Sequence, residues 1–348
     1  MKRMLSLLLI STFVSVPAMA LDLPQTKLKI IGANSAQPSW KDVEVDFWSK
    51  QLPADSSGKV TVEITPWNEM GLKGPEMFHL LRQGVAPISN MILSYNTGDV
   101  KINSGLDLAL LSDSFEDAQK VIATFQPEFS KFYEKNYGIK VLALYPLPPQ
   151  VLYCRNELKS LADLKGRKVR VSNTTQADFV QHYGGNDVNI AFGEVQTALQ
   201  TGVVDCGLTS TSAGYKTGWH EAANYLYPLP VNWQIVGYFA NLRDWRKMSP
   251  ELQAFLTEEF QRLKDKLLAA HAKESEVGLA CLTGRGECPL GPPGRMKVVE
   301  VTETDTASRR DALKKTILPR WAKTCGAECV NAWNATVGKL LGLTAPAS

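Results

Sequence analysis

The feature that most constrains the fold of this 348-residue chain is a repeated alternation of strand and helix patterns between residues 160 and 205. Lys168–Val171 predicts a short strand that precedes a helix, and Val188–Ala191 followed by Gly193–Thr201 repeats this order. The same alternation occurs earlier, between residues 28 and 93. Strands that alternate with helices form largely parallel sheets with helices on their faces. The sequence therefore predicts an α/β protein.

The length of the chain allows two domains. Pro146, Pro148 and Pro149 interrupt a strand pattern before Val151–Cys154 resumes it, which predicts a first crossing from one domain to the other. Ile235–Asn241 predicts a strand that returns to the first domain. Two crossings make a hinge, and the cleft between two α/β lobes is a natural site for a small molecule.

We predict that lobe 1 comprises residues 21–145 with part of 240–348, and that lobe 2 comprises residues 146–239 with part of 283–330. A long helix is expected at 249–281, because a serine cap and a first-turn proline precede an apolar pattern with a period of 3.6 residues. A helix of this length suits a strut across both lobes.

Residues 1–20 carry the pattern of an export signal. Two basic residues precede the apolar run Leu5–Val16, and small residues at positions 18 and 20 predict cleavage after Ala20. The alternative, a membrane anchor, fits less well because a spanning helix needs about 20 apolar residues. We therefore expect a mature protein that is soluble and periplasmic.

The six cysteines all lie in the expected mature part, and an even number in an exported chain predicts disulfides. Cys281 and Cys288 enclose a glycine-containing loop and are one candidate pair. Three further possibilities stay open from the spacing: Cys154 and Cys206 could join neighbouring strands, Cys325 and Cys329 could pair with each other, or these last two could exchange partners with Cys281 and Cys288. The spacings do not match common zinc sites, so no metal is expected.

The charge pattern argues against a nucleic-acid partner. The formal net charge is only +3, and the basic residues are scattered rather than clustered. The chain also lacks a nucleophile elbow, a phosphate-binding loop and histidines at metal-ligand spacing. We therefore expect neither an enzyme nor a cofactor.

Arg170 is the strongest candidate for a binding residue. It stands at the end of a predicted strand, just ahead of a helix start at which Asn173 can act as the cap. A guanidinium and an open helix N-terminus both present N–H donors and positive charge, a combination that favours a carboxylate ligand. The alternative is a surface arginine in a salt bridge.

Two motifs carry a resemblance to a known family. Leu164-Lys-Gly-Arg-Lys-Val-Arg-Val171 and Phe192-Gly-Glu-Val-Gln-Thr-Ala-Leu-Gln-Thr-Gly-Val-Val-Asp205 together resemble the substrate-binding subunits of TRAP transporters, the DctP-type family. The resemblance implies a two-lobed fold like that of type II periplasmic binding proteins, with hinge strands and a long helix that spans both lobes. It also implies an organic-acid ligand held by Arg170 and delivered to a membrane permease that an ion gradient drives.

Further site residues follow from the same resemblance. Phe192 falls where the family has an aromatic or apolar wall, and Asn173 falls where a polar contact is common. After Asp205 the family pattern resembles Gly-Gln-Glu-Asn-Pro, whereas this chain continues differently, with Thr209 and Ser210 near the position of the asparagine that often contacts ligand. Hydroxyl groups can still donate to a ligand oxygen.

Five more candidates lie at ends of predicted elements or in connections: Trp40, Trp67, Asn68, Tyr95 and Trp233. Ordinary packing is the alternative for each tryptophan, but together they predict a pocket with aromatic faces. We predict a monomeric receptor for an organic monocarboxylate, either an aromatic acid or a hydroxy- or keto-acid. The competing classes are an exported enzyme and a sensory module on the same two-lobed fold.

Overall fold

The computed structural model describes residues 22–347, so the predicted signal peptide at 1–20 lies outside the described residues. Eleven strands in the described chain form two sheets. In chain order they are β1 (Thr26–Gly32), β2 (Val60–Pro66), β3 (Ile88–Ile92), β4 (Ile139–Pro146), β5 (Gln150–Cys154), β6 (Lys168–Val171), β7 (Asn186–Asn189), β8 (Cys206–Thr209), β9 (Tyr225–Asn232), β10 (Ile235–Asn241) and β11 (Lys297–Val298).

The helices lie on and between these sheets. The α-helices are Leu52–Asp55, Glu76–Gln83, Phe115–Tyr137, Thr174–His182, Val195–Thr201, Thr211–Lys216, Trp219–Ala222, Leu242–Trp245, Pro250–Thr283, Glu303–Ala312, Leu318–Cys325, Ala327–Trp333 and Lys339–Leu341. Shorter 3-10 and π turns join several of them, including the π-helical segments Trp40–Glu44 and Phe47–Gln51. No helix within the described range is long and apolar enough to cross a membrane.

The first sheet has the order β2-β1-β3-β10-β4 and the second has the order β11-β9-β5-β8-β6-β7. In each sheet, parallel pairs such as β1–β2 and β6–β7 adjoin antiparallel pairs made by the strands that enter or leave the sheet. The chain is therefore an α/β protein built as two lobes, one around each sheet, as the sequence predicted.

Two short connections join the lobes. The chain leaves the first sheet between β4 and β5 and returns between β9 and β10, and the Leu147 N–H of one connection donates to the Gln234 carbonyl of the other. The whole of β10 pairs with β3 and β4, so the predicted lobe 2 boundary at residue 239 divides a strand of the first sheet. Trp233 and Gln234 form the return connection itself.

The long helix Pro250–Thr283 has 34 residues and is about 50 Å long at the usual rise per residue. The Ser249 side chain accepts a hydrogen bond from the Leu252 N–H at its start, and Gly284 ends it with a φ of +67°. It packs against β4 in the first lobe and against helix Thr211–Lys216 in the second.

A glycine allows the long helix to approach the second lobe closely. A Cβ atom at Gly278 would lie 2.3 Å from the backbone nitrogen of Ser212, which is closer than real Cβ contacts. Any larger residue at 278 would therefore push the helix away from the second lobe. The long helix thus spans both lobes and approaches the second closely at Gly278.

Three disulfides staple the described chain: Cys154–Cys206, Cys281–Cys288 and Cys325–Cys329. Cys154 and Cys206 face each other across the antiparallel pair β5–β8. The spacing left open whether Cys281 and Cys288 exchange partners with Cys325 and Cys329. In the structure each of these two pairs is bonded within itself.

A proline inside a helix removes one backbone hydrogen bond, yet Pro127 does not break the helix that contains it. Helix Phe115–Tyr137 continues through Pro127, which lies on the exposed face, where water can bond the carbonyl that the proline leaves free. Phe125 and Phe129 are fully buried on the opposite face and hold the two halves of the helix in line.

Candidate ligand-binding site

Arg170 lies on β6, between β7 and β8 in the second sheet. Its side chain is almost fully buried, with 2% of its surface exposed. The Nε atom donates to the Ile190 carbonyl at 3.0 Å, and one terminal nitrogen donates to the Leu208 carbonyl at 2.9 Å. These two backbone acceptors lie just beyond β7 and within β8, and they fix the direction of the guanidinium.

No acidic side chain among residues 22–347 forms an ion pair with Arg170. The salt bridges of the described chain all involve other cations, and the two acceptors of Arg170 are neutral carbonyls. Burial lowers the pKa of the guanidinium from its ordinary value, while the neighbouring Tyr95 hydroxyl raises it. Since arginine stays protonated in proteins, Arg170 is a buried positive charge that lacks a counter-charge.

Arg170 opens onto a cavity of about 240 Å³ that both lobes line. We name this the inner cavity; its lining residues are Lys73, Pro75, Glu76, Tyr95, Arg170, Ser172, Asn189, Ile190, Ala191 and Phe192. The lobe 2 residues lie at or just beyond the carboxyl ends of β6 and β7, and the lobe 1 residues follow the ends of β2 and β3. Ligands of open α/β sheets bind at this edge, beyond the carboxyl ends of the strands.

Two aromatic rings lie beside the guanidinium. The Cζ atom of Arg170 is 6.0 Å from the centre of the Phe192 ring and 5.8 Å from that of Trp219. Gly207 pairs with Arg170 across β6–β8, and a Cβ there would lie 3.0 Å from the Trp219 ring. The glycine makes room for this ring, and cation–π contact offsets part of the cost of burying Arg170.

An outer cavity of about 290 Å³ adjoins the inner one and shares Lys73, Ala191 and Phe192 with it. Trp67 and Asn68 form its lobe 1 wall, and the Trp67 ring meets that of Tyr95 edge to face at 6.4 Å. The Asn68 side chain is held by the backbone and hydroxyl of Ser35, at 2.9 Å each. The two cavities therefore form one cleft whose dividing wall is Phe192.

An ion pair bridges the two lobes where the cavities meet. The Lys73 Nζ atom of lobe 1 lies 2.6 Å from a carboxylate oxygen of Glu194 in lobe 2, and this hydrogen bond raises the pKa of Lys73. Both side chains are more than half exposed. Exposed pairs contribute at most about 1 kcal/mol, so this contact is a weak link between the lobes.

The structure brings together half of the residues predicted for the site. Arg170, Tyr95 and Phe192 line the inner cavity, while Trp67, Asn68 and again Phe192 line the outer one. These residues come from both lobes and from four different strand ends.

The other predicted residues lie away from both cavities. Trp40 packs its ring over Gly32, where an added Cβ would lie 2.4 Å from it. Trp233 is buried in the return connection and donates from its indole nitrogen to the Ser112 carbonyl at 3.0 Å. Both indoles are occupied by packing, which was the alternative for each tryptophan.

Thr209 and Ser210 are buried and line neither cavity. Thr209 pairs with Val151 at the end of β8, and the Ser210 side chain caps helix Thr211–Lys216 by accepting from the Ala213 N–H. The end of β8 contributes to the site through the Leu208 carbonyl, which accepts from Arg170, rather than through the predicted hydroxyl groups.

Asn173 caps helix Thr174–His182, as expected, with its side chain accepting from the Gln176 N–H. The Thr174 N–H donates to the Thr97 hydroxyl at 3.4 Å, so two of the first-turn donors have protein partners. The N–H groups of Thr174 and Gln176 are therefore already hydrogen-bonded and cannot bind a ligand, in contrast to the expected open helix N-terminus. The guanidinium of Arg170 is the principal group for an anion.

Sequence reasoning missed seven polar residues of the cleft: Asn34, Lys73, Glu76, Ser172, Asn189, Glu194 and Thr217. Ser172 could have been found, since it stands two positions after Arg170 between the strand and the helix cap. Lys73 and Asn34 lie in connections whose position depends on how lobe 1 meets lobe 2. No short-range pattern in the sequence indicates that contact.

The fold is two-lobed, and the cavity between its lobes contains a buried arginine that has no acidic partner among the described residues. Residues 31–323 match the family model DctP, described as bacterial extracellular solute-binding protein, family 7. The chain belongs to this family of bacterial extracellular solute-binding proteins.

Individual relatives are distant in sequence and close in fold. A solute-binding protein from Chromohalobacter salexigens is 24% identical over 267 residues, which are 71% of this chain and 78% of the relative. A Bordetella pertussis extracytoplasmic solute receptor that binds pyroglutamic acid superposes with a TM-score of 0.77 at 20% identity, covering 89% of this chain and 99% of that one. A TRAP periplasmic solute-binding protein from Rhodoferax ferrireducens with bound malonate has a TM-score of 0.79 at 18% identity, covering 90% and 98%.

Proposed function

We propose that this receptor captures an organic monocarboxylate by pairing the carboxylate with Arg170. The observation that carries the proposal is the buried guanidinium without a counter-charge. A guanidinium that already donates to two carbonyls still presents donors to the cavity, because it has five N–H groups in a planar fork. An anionic ligand supplies the missing charge and gains charge-assisted hydrogen bonds.

The charges around the cleft support a ligand with a single carboxylate. Lys73 is already paired with Glu194, and Glu76 adds a further negative charge to the lining of the inner cavity. Arg170 is thus the one cation of the cavity wall that lacks an acidic partner among the described residues. A second carboxylate on the ligand would meet either Glu76 or a lysine that must first leave Glu194.

The body of the ligand is proposed to lie along Phe192 toward the outer cavity. Phe192 and Trp67 provide apolar faces, whereas Asn68 and Tyr95 provide polar edges. This lining suits a flat ring or a short chain with hydroxyl or keto groups. Among the similar structures, the Bordetella receptor binds pyroglutamic acid, a small ring acid, while the Rhodoferax protein holds the dicarboxylate malonate.

In the proposed cycle a periplasmic monomer closes its lobes over the acid and delivers it to the membrane permease of its transporter. The ligand contacts both lobes, since its carboxylate lies on lobe 2 and its body touches Trp67 and Tyr95 of lobe 1. A ligand shifts the closing equilibrium only by its difference in affinity for the two states, so contacts with both lobes are what link binding to closure.

A panel of acids and their neutral analogues tests the proposal. Thermal-shift and calorimetric titrations would compare four monocarboxylates, namely pyroglutamate, benzoate, lactate and pyruvate, with the dicarboxylate malonate. Each acid would also be compared with its own carboxamide. Ligand binding to the native state raises the melting temperature. We expect at least one monocarboxylate to bind and its amide to fail. An amide that binds as tightly as its acid would refute the pairing with Arg170.

A further inference from the structure

A ring of buried side chains connects the site to the hinge; hydrogen bonds form three of its links, and the backbone from Asn232 to Gln234 closes it. The Gln176 side-chain oxygen accepts from the Ser172 N–H at 2.8 Å and from its hydroxyl at 3.1 Å, and the Gln176 amide nitrogen donates to the Asn232 oxygen at 2.8 Å. Gln234, two residues after Asn232, donates to the Ser172 hydroxyl at 2.8 Å. All four side chains are buried.

The ring has one end in the binding site and the other in the hinge. Ser172 lines the inner cavity and follows Arg170 by two positions. Asn232 ends β9, and Gln234 forms part of the return connection to the first lobe with a φ of +28°. Left-handed backbone is costly for a residue with a side chain, so neighbouring contacts must hold it there. Two hydrogen bonds are among those contacts. The Gln234 side chain donates to the Ser172 hydroxyl, and the Gln234 carbonyl accepts from the Leu147 N–H.

Lobe 1 joins the ring through Asp107. The Asn232 amide nitrogen lies 2.9 Å from each oxygen of the Asp107 carboxyl group, which also accepts from the Trp233 N–H at 3.1 Å. Thr175, in the first turn of the helix that follows Ser172, donates to the Asp107 carbonyl and accepts from the Ala109 N–H. The ring therefore ties the Arg170 strand end, the hinge and lobe 1 together.

Burial makes this connection stiff. A buried polar group that loses its partner costs about 1–3 kcal/mol, and the Gln176 side chain alone satisfies three hydrogen bonds. Movement of the Arg170 strand end relative to the hinge would leave several such groups unpaired. The ring must consequently move as one piece, or break at a cost larger than that of the exposed Lys73–Glu194 pair.

We propose that Gln176, Asn232 and Gln234 are positioning residues that couple occupancy of the Arg170 site to closure of the lobes. This inference rests on the proposed function, because it takes an acid on Arg170 as the event that is transmitted. The residues act through Ser172 and the hinge backbone rather than by touching the acid.

The distance between the lobes tests the coupling directly. Spin labels on Glu69→Cys in lobe 1 and Gln200→Cys in lobe 2, both exposed positions, report this distance by pulsed electron paramagnetic resonance, with and without acid. The six native cysteines are all in disulfides and leave the labels specific. The probe is the acid of the panel above that gives the largest melting shift.

Gln176→Met keeps the side-chain length and removes the amide. We expect its distance distribution to be broader than that of the unsubstituted chain without acid, and its acid-induced shift to be less than half as large. Its affinity should fall at least tenfold. Gln234→Met removes a single hydrogen bond of the ring and serves as a second variant in case Gln176→Met folds poorly. We expect it to change the distance distribution, the acid-induced shift and the affinity in the same direction.

Asn90→Leu is the matched control, since Asn90 is an equally buried amide that bonds Tyr145 within the first sheet. It should lower the melting temperature and leave the distances and the affinity unchanged within about twofold. The inference is overturned if both ring variants retain the distances of the unsubstituted chain, or if Asn90→Leu loses closure to the same extent. Failure of Arg170→Met to weaken binding would instead overturn the proposed function.

Discussion

The substitution Arg170→Met separates binding from stability. It removes the charge and keeps an apolar side chain of similar reach between Phe192 and Trp219. A buried carboxylate left without its partner costs about 3–5 kcal/mol. We therefore expect the affinity for the acid to fall by roughly two to three and a half orders of magnitude.

The stability of the ligand-free protein should change far less. The variant leaves the Ile190 and Leu208 carbonyls without their charged donors, at about 1.5–3 kcal/mol each. It also removes an unpaired buried cation, whose desolvation costs several kcal/mol. Because these two contributions oppose each other, we expect the ligand-free melting temperature to stay within a few degrees of that of the unsubstituted chain.

Isothermal titration calorimetry measures the affinity, and differential scanning calorimetry measures the melting temperature with and without acid. Arg167→Met is the matched control, because Arg167 precedes the same strand but is only partly buried, and its guanidinium donates to the Asn156 and Glu157 carbonyls. The control should bind normally. Near-normal affinity of Arg170→Met, or equal losses in both variants, would refute the assignment of the anion site.

The interlobe ion pair, one disulfide and one buried glutamate give three further expectations. Lys73→Ala removes the exposed pair with Glu194, so the affinity should fall less than about fivefold, and calorimetry in high salt should show no difference. The double variant Cys154→Ala, Cys206→Ala lacks a cross-link between residues 52 positions apart. Urea denaturation should show that its free energy of unfolding is about 4 kcal/mol lower, because the unfolded chain is no longer constrained. A loss below about 1 kcal/mol would contradict this chain-entropy reasoning. Burial raises the pKa of Glu44 to about 7 from 4.5. Since the folded state then binds the proton more tightly, stability should fall as pH rises between these values, and Glu44→Gln should remove roughly 3 kcal/mol of that fall in urea denaturation at a series of pH values.

The fold was predictable because its signals are local. Strand and helix patterns alternate over short distances, and a serine cap with a following proline marks the start of the long helix. A helix often bends or ends at an internal proline, but the exposed position of Pro127 and the burial of Phe125 and Phe129 let this helix continue, which the local pattern does not indicate.

The site residues were predictable only where their position in the site follows from the short motif that contains them. Arg170 and Phe192 belong to motifs that a short stretch contains, and both line the inner cavity. Trp67 and Trp233 look alike in sequence, since each follows a strand, yet one lines the cleft and the other is buried in the hinge. The contact between Lys73 and Glu194 joins residues 121 positions apart, so no local pattern indicates it.

The uneven strength of the contacts between the lobes explains why closure should depend on the ligand. The Lys73–Glu194 pair is exposed and contributes at most about 1 kcal/mol, which shifts a two-state equilibrium by about fivefold or less. An acid on Arg170 that also touches Trp67 and Tyr95 can contribute several kcal/mol to the closed form alone, because only that form surrounds it. A shift from 1:99 to 99:1 needs about 5.5 kcal/mol, a value within reach of the ligand and out of reach of the ion pair. Leaving Arg170 without a protein counter-charge therefore reserves most of the closing free energy for the solute.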